Sequence, residues 1–377
     1  MRRLLRFLAS GLLAVCLAPG AWAGDQVIVG GSPDDLSATA TEVGQLFGMP
    51  ENTFGATSFE TNLRTYLSTA GTLKNLRVVL DGAPGAGTSY EFRVTLNGVD
   101  TSPLVGCTIS GTATSCADTS NTVALVGGDY VAVTPIPTGT PTVTDAMWTW
   151  VLTSTTSAET ILHGNTASTS VSATAARYGP LSGTEGGWEA TEGLTEIVAP
   201  VAGTLKHLRV FLSGSPGAGK SYAITARINE AAPSGGPTCS IADTASSCTD
   251  LTNTASVAAG DRIGVEIVPT GTPTTRQVRG AVLTFATATD GDFLIASTDA
   301  DALATGATAY TALQAGDAED NATEGVIQQI GQTMTIKAIY VDLSGAPGAG
   351  TSYQFTLFQD EGTTGLRSSH SRRSNAE

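Results

Sequence analysis

The string Gly214-Ser-Pro-Gly-Ala-Gly-Lys220-Ser221 spells the pattern with which a glycine-rich loop cradles phosphate. That chemistry requires a helix opening at the lysine, so that its first amides and its dipole face the anion. Here the following residues alternate as a strand. The sister strings Gly82–Ser89 and Gly345–Ser352 carry Thr88 and Thr351 where the lysine stands. The motif is read as a loop between strands, and no nucleotide is implied. Three histidines exist, His163, His207 and His370, with no Gly-x-Ser-x-Gly elbow to accompany them. No Ser-His-Asp set stands out, so no catalytic residue is assigned and the chain is expected not to be an enzyme.

Carboxylates and tryptophans offer the remaining chemistry. Glu185, Glu189 and Glu192 surround Trp188, a cluster that could hold a sugar or hydrolyse a glycosidic bond. Solvated loop charge is the simpler reading. Asp290, Asp292, Asp299 and Asp301 carry oxygens suited to Ca²⁺, but their spacing does not fit an EF-hand and they read as linker acidity. No metal or cofactor is expected. Trp148 and Trp150 stand two apart and share one face of a strand. Exposed, they and Trp188 would be stacking platforms for a glycan; buried, they fill the core. The second copy has Gly280 and Val282 in the corresponding places, so this face is not common to the copies.

These residues must be positioned by an exported, duplicated chain. Arg2, Arg3 and Arg6 precede a mostly apolar Leu4–Leu17 stretch, and Ala21-Trp22-Ala23 supplies a small-x-small cleavage pattern before Gly24. The apolar run is short of the roughly 20 residues that span a bilayer. Residues 1–23 are read as a signal peptide, and the mature chain as secreted or displayed at the cell surface without a membrane span. Loss of three arginines takes the net charge of −15 to −18, which disfavours nucleic acid. Cys16 leaves with the signal. The other four cysteines form Cys107/Cys116 and Cys239/Cys248 at equal spacing in two copies, a local disulfide in each.

An offset of 132 residues carries Gly71–Leu80 onto Gly203–Leu212 and Cys107 onto Cys239 without a gap, and Thr335–Leu343 continues the pattern at an offset of 131. Period-two runs such as Tyr90, Phe92, Val94, Leu96 mark half-buried strands, and no helical stripe is present. The reading is an all-β chain of tandem antiparallel, jelly-roll-like β-sandwiches. Copy 1 occupies residues 24–156, copy 2 residues 157–288, and an incomplete, truncated copy 3 residues 289–365. A basic, atypical tail follows at 366–377. The strands on either side of each Gly-Ala-Pro-Gly-type loop are expected to form a tight antiparallel pair, and each cysteine pair to close a small hairpin.

The order Leu96-Asn97-Gly98, Thr122-Val-Ala-Leu125 and Gly128-Asp-Tyr-Val-Ala-Val133 resembles the later strands of C1q/TNF-like jelly rolls, over about 40 residues of each copy. Copy 2 keeps Asn229 and Gly260-Asp-Arg-Ile-Gly-Val265 but has Glu230 for the glycine. The resemblance implies a binding module and a homo-oligomer, a trimer. The functional expectation is a structural or adhesive repeat protein without catalysis, meeting glycans or surface proteins. The alternatives are a carbohydrate-binding module using Trp148, Trp150 or Trp188, and a secreted carboxylate-dependent hydrolase.

Overall fold

The computed structural model describes residues 24–32, 35–48, 62–298 and 332–359. It also describes short pieces at 55–56, 305–306, 308–315 and 362–370, and residues 303, 328 and 330. Residues 1–23, read above as a signal peptide, and residues 371–377 of the basic tail lie outside the described residues.

Copy 1 is a two-sheet sandwich. In its first sheet β1 (Asp25–Ser32) pairs with β8 (Ala146–Ser154), which pairs with β2 (Gly71–Leu80). The far edge of β2 takes β5 (Ser115–Asp118) and β6 (Val123–Leu125). In the second sheet β7 (Tyr130–Thr138) pairs with β3 (Gly85–Leu96), and β4 (Gly106–Gly111) lines the far side of β3. Between the sheets lie Leu73, Leu76, Val78, Leu80, Trp148 and Trp150 from one side, and Tyr90, Phe92, Val94, Ile109, Val131 and Val133 from the other. Each such aliphatic or aromatic side chain contributes roughly 1.5–3 kcal/mol by leaving water.

Copy 2 repeats the plan. Its first sheet runs β9 (Glu159–Asn165), β16 (Val278–Thr287) and β10 (Gly203–Leu212), with β13 (Ser247–Asp250) and β14 (Ala255–Val257) on the edge of β10. Its second runs β15 (Arg262–Thr270), β11 (Gly217–Ile228) and β12 (Thr238–Asp243). The all-β expectation is met.

Two local expectations are corrected. The strands flanking the Gly-Pro loops do not pair: β2 and β3 belong to opposite sheets, as do β10 and β11. The loop is an arch over the edge of the sandwich, which its glycines allow by taking positive φ at Gly85 and Gly87, and again at Gly217 and Gly219. Likewise the cysteine segments are no flat hairpin. Strand β4 joins the sheet of β3 while β5 joins the sheet of β2, so the Cys107–Cys116 disulfide staples one sheet to the other, with Cα atoms 5.8 Å apart. Cys239–Cys248 does the same in copy 2. Closing so short a loop contributes roughly 2–3 kcal/mol.

A bulge explains why the apolar period slips once in each long strand. Asn75 and His207 stand at equivalent positions with φ of 55° and 54°. The buried face therefore runs Leu73 and then Leu76, Val78, Leu80, and in copy 2 Leu205 and then Leu208, Val210, Leu212.

Copy 3 is different. Residues 332–352 hold no regular strand, although Thr335–Leu343 matches β2 and β10 in sequence. Strands equivalent to β8 and β5, which clamp β2 on both sides, are absent among the described residues. The later pair β17 (Tyr353–Gln359) and β18 (Gly362–His370) forms a two-stranded sheet, which takes in the start of the expected tail.

The copies touch in a closed circuit. Copy 1 meets copy 2 where Gln26 and Ile161 exchange two buried hydrogen bonds, at 2.9 and 2.8 Å. Copy 2 meets copy 3 where Thr298 Oγ1 donates to Leu194 O at 2.6 Å and Arg262 faces Asp342 at 3.6 Å. Copy 3 returns to copy 1 where Gln332 Nε2 donates to Asp25 Oδ2 at 2.9 Å and Asn75 Nδ2 donates to Gln332 Oε1 at 3.2 Å. Each copy also carries one lysine–carboxylate pair at its seam: Lys74–Asp25, Lys206–Glu159 and Lys337–Asp292. The residue aligned with Gln332 in copy 1 is Thr69, and Thr69 Oγ1 hydrogen-bonds Glu159 of copy 2. One docking geometry thus recurs.

Candidate functional site

The tryptophans named as platforms in the carbohydrate-binding alternative are inside the molecule, which corrects that alternative. Trp148 and Trp150 are fully buried. Their indole N–H groups donate to the Gln45 and Leu46 carbonyls at 3.0 and 2.7 Å, which satisfies the one polar atom each ring carries. The period of β8 is unbroken, so both rings fall on the sandwich face. Trp188 is buried against Gly179 and donates to Asn165 O at 3.2 Å. No face of the three rings is open to a sugar.

The acidic cluster does not converge either. Glu192 is held by Arg227 at 2.7 Å, Glu189 pairs with Tyr178 through both backbone amides at 2.9 Å, and Glu185 is buried. Asp290 and Asp292 are engaged by protein partners, while Asp299 and Asp301 lie outside the described residues. The phosphate-loop string opens β11 directly, and its Gly219 amide donates to Asp243 Oδ1 at 2.7 Å.

The chemistry gathers at the seam between copies 1 and 2, where sequence reasoning assigned nothing. Tyr66, just before β2, lies flat on Phe211 of β10 with ring centroids 4.0 Å apart and planes 10° apart. Its ring covers Gly280, where a Cβ would stand 2.6 Å from Tyr66 Cδ2. Gly280 reaches the outer face of its sheet because the pairing of β16 with β10 shifts register between Phe211 and Leu212. The core face of β16 is then Val278, Ala281, Leu283, Phe285, whereas β8 keeps Ala146, Trp148, Trp150, Leu152. That shift turns the position of a core tryptophan into a landing site for the neighbouring copy.

Two arginines flank the stack. The Arg64 guanidinium sits 3.8 Å over the Tyr130 ring, and its Nη1 lies 3.5 Å from Tyr66 Oη. Arg279 occupies the register shift of β16. Burial presses its pKa below the usual arginine range; Tyr66 and Tyr130 oppose this and the charge of Arg64 adds to it. The Nε atoms of both arginines are buried without a hydrogen-bond partner among the described residues. Below them His163 is fully buried, with neither ring nitrogen in hydrogen-bonding geometry. Burial pushes it down to about 3 against a small opposing pull from the Arg64 backbone, so it stays neutral at physiological pH. Arg209 completes the seam, donating from Nε to Ser68 O at 3.4 Å. The site thus gathers two arginines with no carboxylate among the described residues around them. A sequence signal existed only in the mismatch between copies: Arg64 aligns with Glu196, and Arg279 with Met147.

Two carboxylates are fixed alike in the two copies. Asp118 accepts from the amides of Gly106, Ser120 and Asn121 and from Asn121 Nδ2. Asp250 accepts from the equivalent donors of Thr238, Thr252 and Asn253. Desolvation works against both charges, but the donors win. Asp118 is held down to about 2, and Asp250 lies well below the ordinary carboxylate range. These are loop-fixing residues.

No protein-family model and no curated protein matches the chain. Among solved structures it is similar to a xanthan lyase from Paenibacillus, at 14% identity and a TM-score of 0.19, over 59% of this chain and 22% of that one. That neighbour is named as an enzyme, and the expectation that this chain is not one is withdrawn. A likeness at this TM-score assigns neither activity nor substrate. The disulfides fit an oxidising, extracellular type of environment, and among the described residues no helix is long and apolar enough to cross a membrane.

Proposed function

We propose that the chain is an exported structural or adhesive protein whose copies act as one body, presenting its outer surfaces to glycans or surface proteins. The observation that supports this reading is the closed circuit of contacts from copy 1 through copy 2 and copy 3 back to copy 1. A joined body holds several weak contacts at fixed spacing, which raises effective concentration beyond what independent domains on flexible linkers achieve. The trimer implied by the C1q/TNF-like resemblance would here be supplied within a single chain. The test is adhesion of the purified protein to cell surfaces and glycan arrays, beside a variant whose seam is forced open. Equal adhesion by both would remove the joined body from the explanation.

A carbohydrate-related second reading is favoured by the Arg64–Arg279 pair, since two guanidinium groups beside tyrosine rings suit the carboxylate of an acidic sugar. Titration with a glucuronate-containing oligosaccharide against its neutral counterpart tests it. Binding of the acidic sugar alone, lost in Arg279→Met, is the expected result.

A further inference from the structure

The three copies meet at one oxygen atom. The backbone nitrogen of Gly24 donates to Asp290 Oδ1 at 2.7 Å, and the Ala158 amide donates to the same oxygen at 2.7 Å. Gly24 opens copy 1, Ala158 opens copy 2 and Asp290 leads into copy 3. Residue 24 can only be glycine here, because a Cβ would overlap the backbone nitrogen and Cα of Gly291.

Among the described residues, the charges at this joint are matched except one. Asp25 has Lys74 at 2.9 Å, and Asp292 has Lys337. The groups acting on Asp290 are the amides of Gly24, Ala158 and Gly291 and the Ser157 side chain, all neutral in the uncut chain. Desolvation opposes its charge, yet these donors hold its pKa below the usual carboxylate value, so it is an anion facing Gly24. The preceding residues are Ala21-Trp22-Ala23, the small-x-small pattern of a signal cleavage site.

We propose that removal of residues 1–23 makes the Gly24 nitrogen an ammonium that pairs with Asp290 and fastens the three copies at their common joint. The inference rests on the export reading above. A signal-peptidase-class protease adds water across the Ala23–Gly24 bond: the hydroxyl goes to the Ala23 carbonyl carbon and a proton to the Gly24 nitrogen. The proton that the new Ala23 carboxyl gives up at neutral pH is matched by the one that the Gly24 amine gains. A single donor becomes a cation with three, aimed at a carboxylate already in place. Charge-assisted bonds of this kind are about twice as strong as neutral ones.

The test uses the exported protein. Intact mass and amino-terminal sequencing are expected to give Gly24 as the first residue; any other start overturns the processing on which the inference stands. With Gly24 first, the rate of acylation of the α-amine at pH 7 is compared in the native and the denatured chain. Engagement by Asp290 is expected to slow the native reaction at least about tenfold, the equivalent of raising the amine about one pH unit above its ordinary range of 7.7–8.0. Asp290→Asn is expected to restore the denatured rate. A native amine that reacts like the denatured one overturns the ion pair while leaving export intact, and this comparison needs no variant to fold.

Discussion

Copies 1 and 2 use the same positions to dock their neighbours but fill them with different chemistry. Copy 1 places Tyr66 against Phe211 of copy 2, with Arg64 over the ring of Tyr130, which lies beside Tyr66. The aligned residues of copy 2 are Val198, Glu196 and Arg262, and Asp342 of copy 3 stands where Phe211 stands in copy 2. So an aromatic stack at one seam becomes an ion pair at the next, Arg262 with Glu196 at 3.4 Å and with Asp342 at 3.6 Å. Arg209, lying against Gly127, is likewise answered by Tyr340 near Gly260. The docking positions are shared while their side chains differ from seam to seam. The desolvated stack carries the larger share of stability between copies, because the Arg262–Asp342 pair that crosses the second seam is partly exposed and such pairs contribute about 0–1 kcal/mol.

The comparison breaks most sharply at Gly280. Restoring copy 1's residue with Gly280→Trp drives an indole into Tyr66 and is expected to cost about 3 kcal/mol in chemical denaturation, while Tyr340→Ala at the second seam, where that ring is half exposed, costs far less. An unchanged midpoint for Gly280→Trp would mean that the first seam does not form.

Acid sharpens the same contrast, since His163 belongs to the first seam alone. Its folded pKa is depressed, so the unfolded chain binds the extra proton. Stability is full above about pH 6.5 and falls as the pH drops towards 3, by at most about 1.4 kcal/mol per unit. His163→Phe should flatten that slope between pH 6.5 and 4.5. Hydrogen exchange should show the first seam loosening before the second.

Within the copies the effect is symmetric. Asp118→Asn and Asp250→Asn should each destabilise by about 2 kcal/mol at pH 7, an advantage lost as the pH falls below about 4 through the lowered pKa values. Unequal losses would show that the sandwiches are not energetically equivalent. The smallest effect is expected at the second seam, where Asp342→Asn should cost under about 1 kcal/mol and lose even that in high salt.

The duplication, the alternation of Tyr90, Phe92 and Val94, and the cysteine spacing were readable in the chain because they are local, periodic signals that any β-sandwich must carry. The pairing of strands was not. Leu80 and Gly85 are five residues apart and look like the ends of a hairpin, yet only the finished sandwich reveals an arch between sheets. Trp148 and Trp150 announced a shared face but not which side of it was wet. Asp290 and Asp292 looked like two charges of one acidic linker, and folding gave them separate partners.

By itself the sequence determined a duplicated all-β chain with one disulfide in each of copies 1 and 2, since residue type and spacing act over a few residues. Only the tertiary structure decided which surfaces meet. Tyr66 and Phe211 are 145 positions apart, and Gly24 and Asp290 are 266 apart. A contact across such distances depends on sheet geometry and on a single register shift, and neither leaves a periodic trace along the chain.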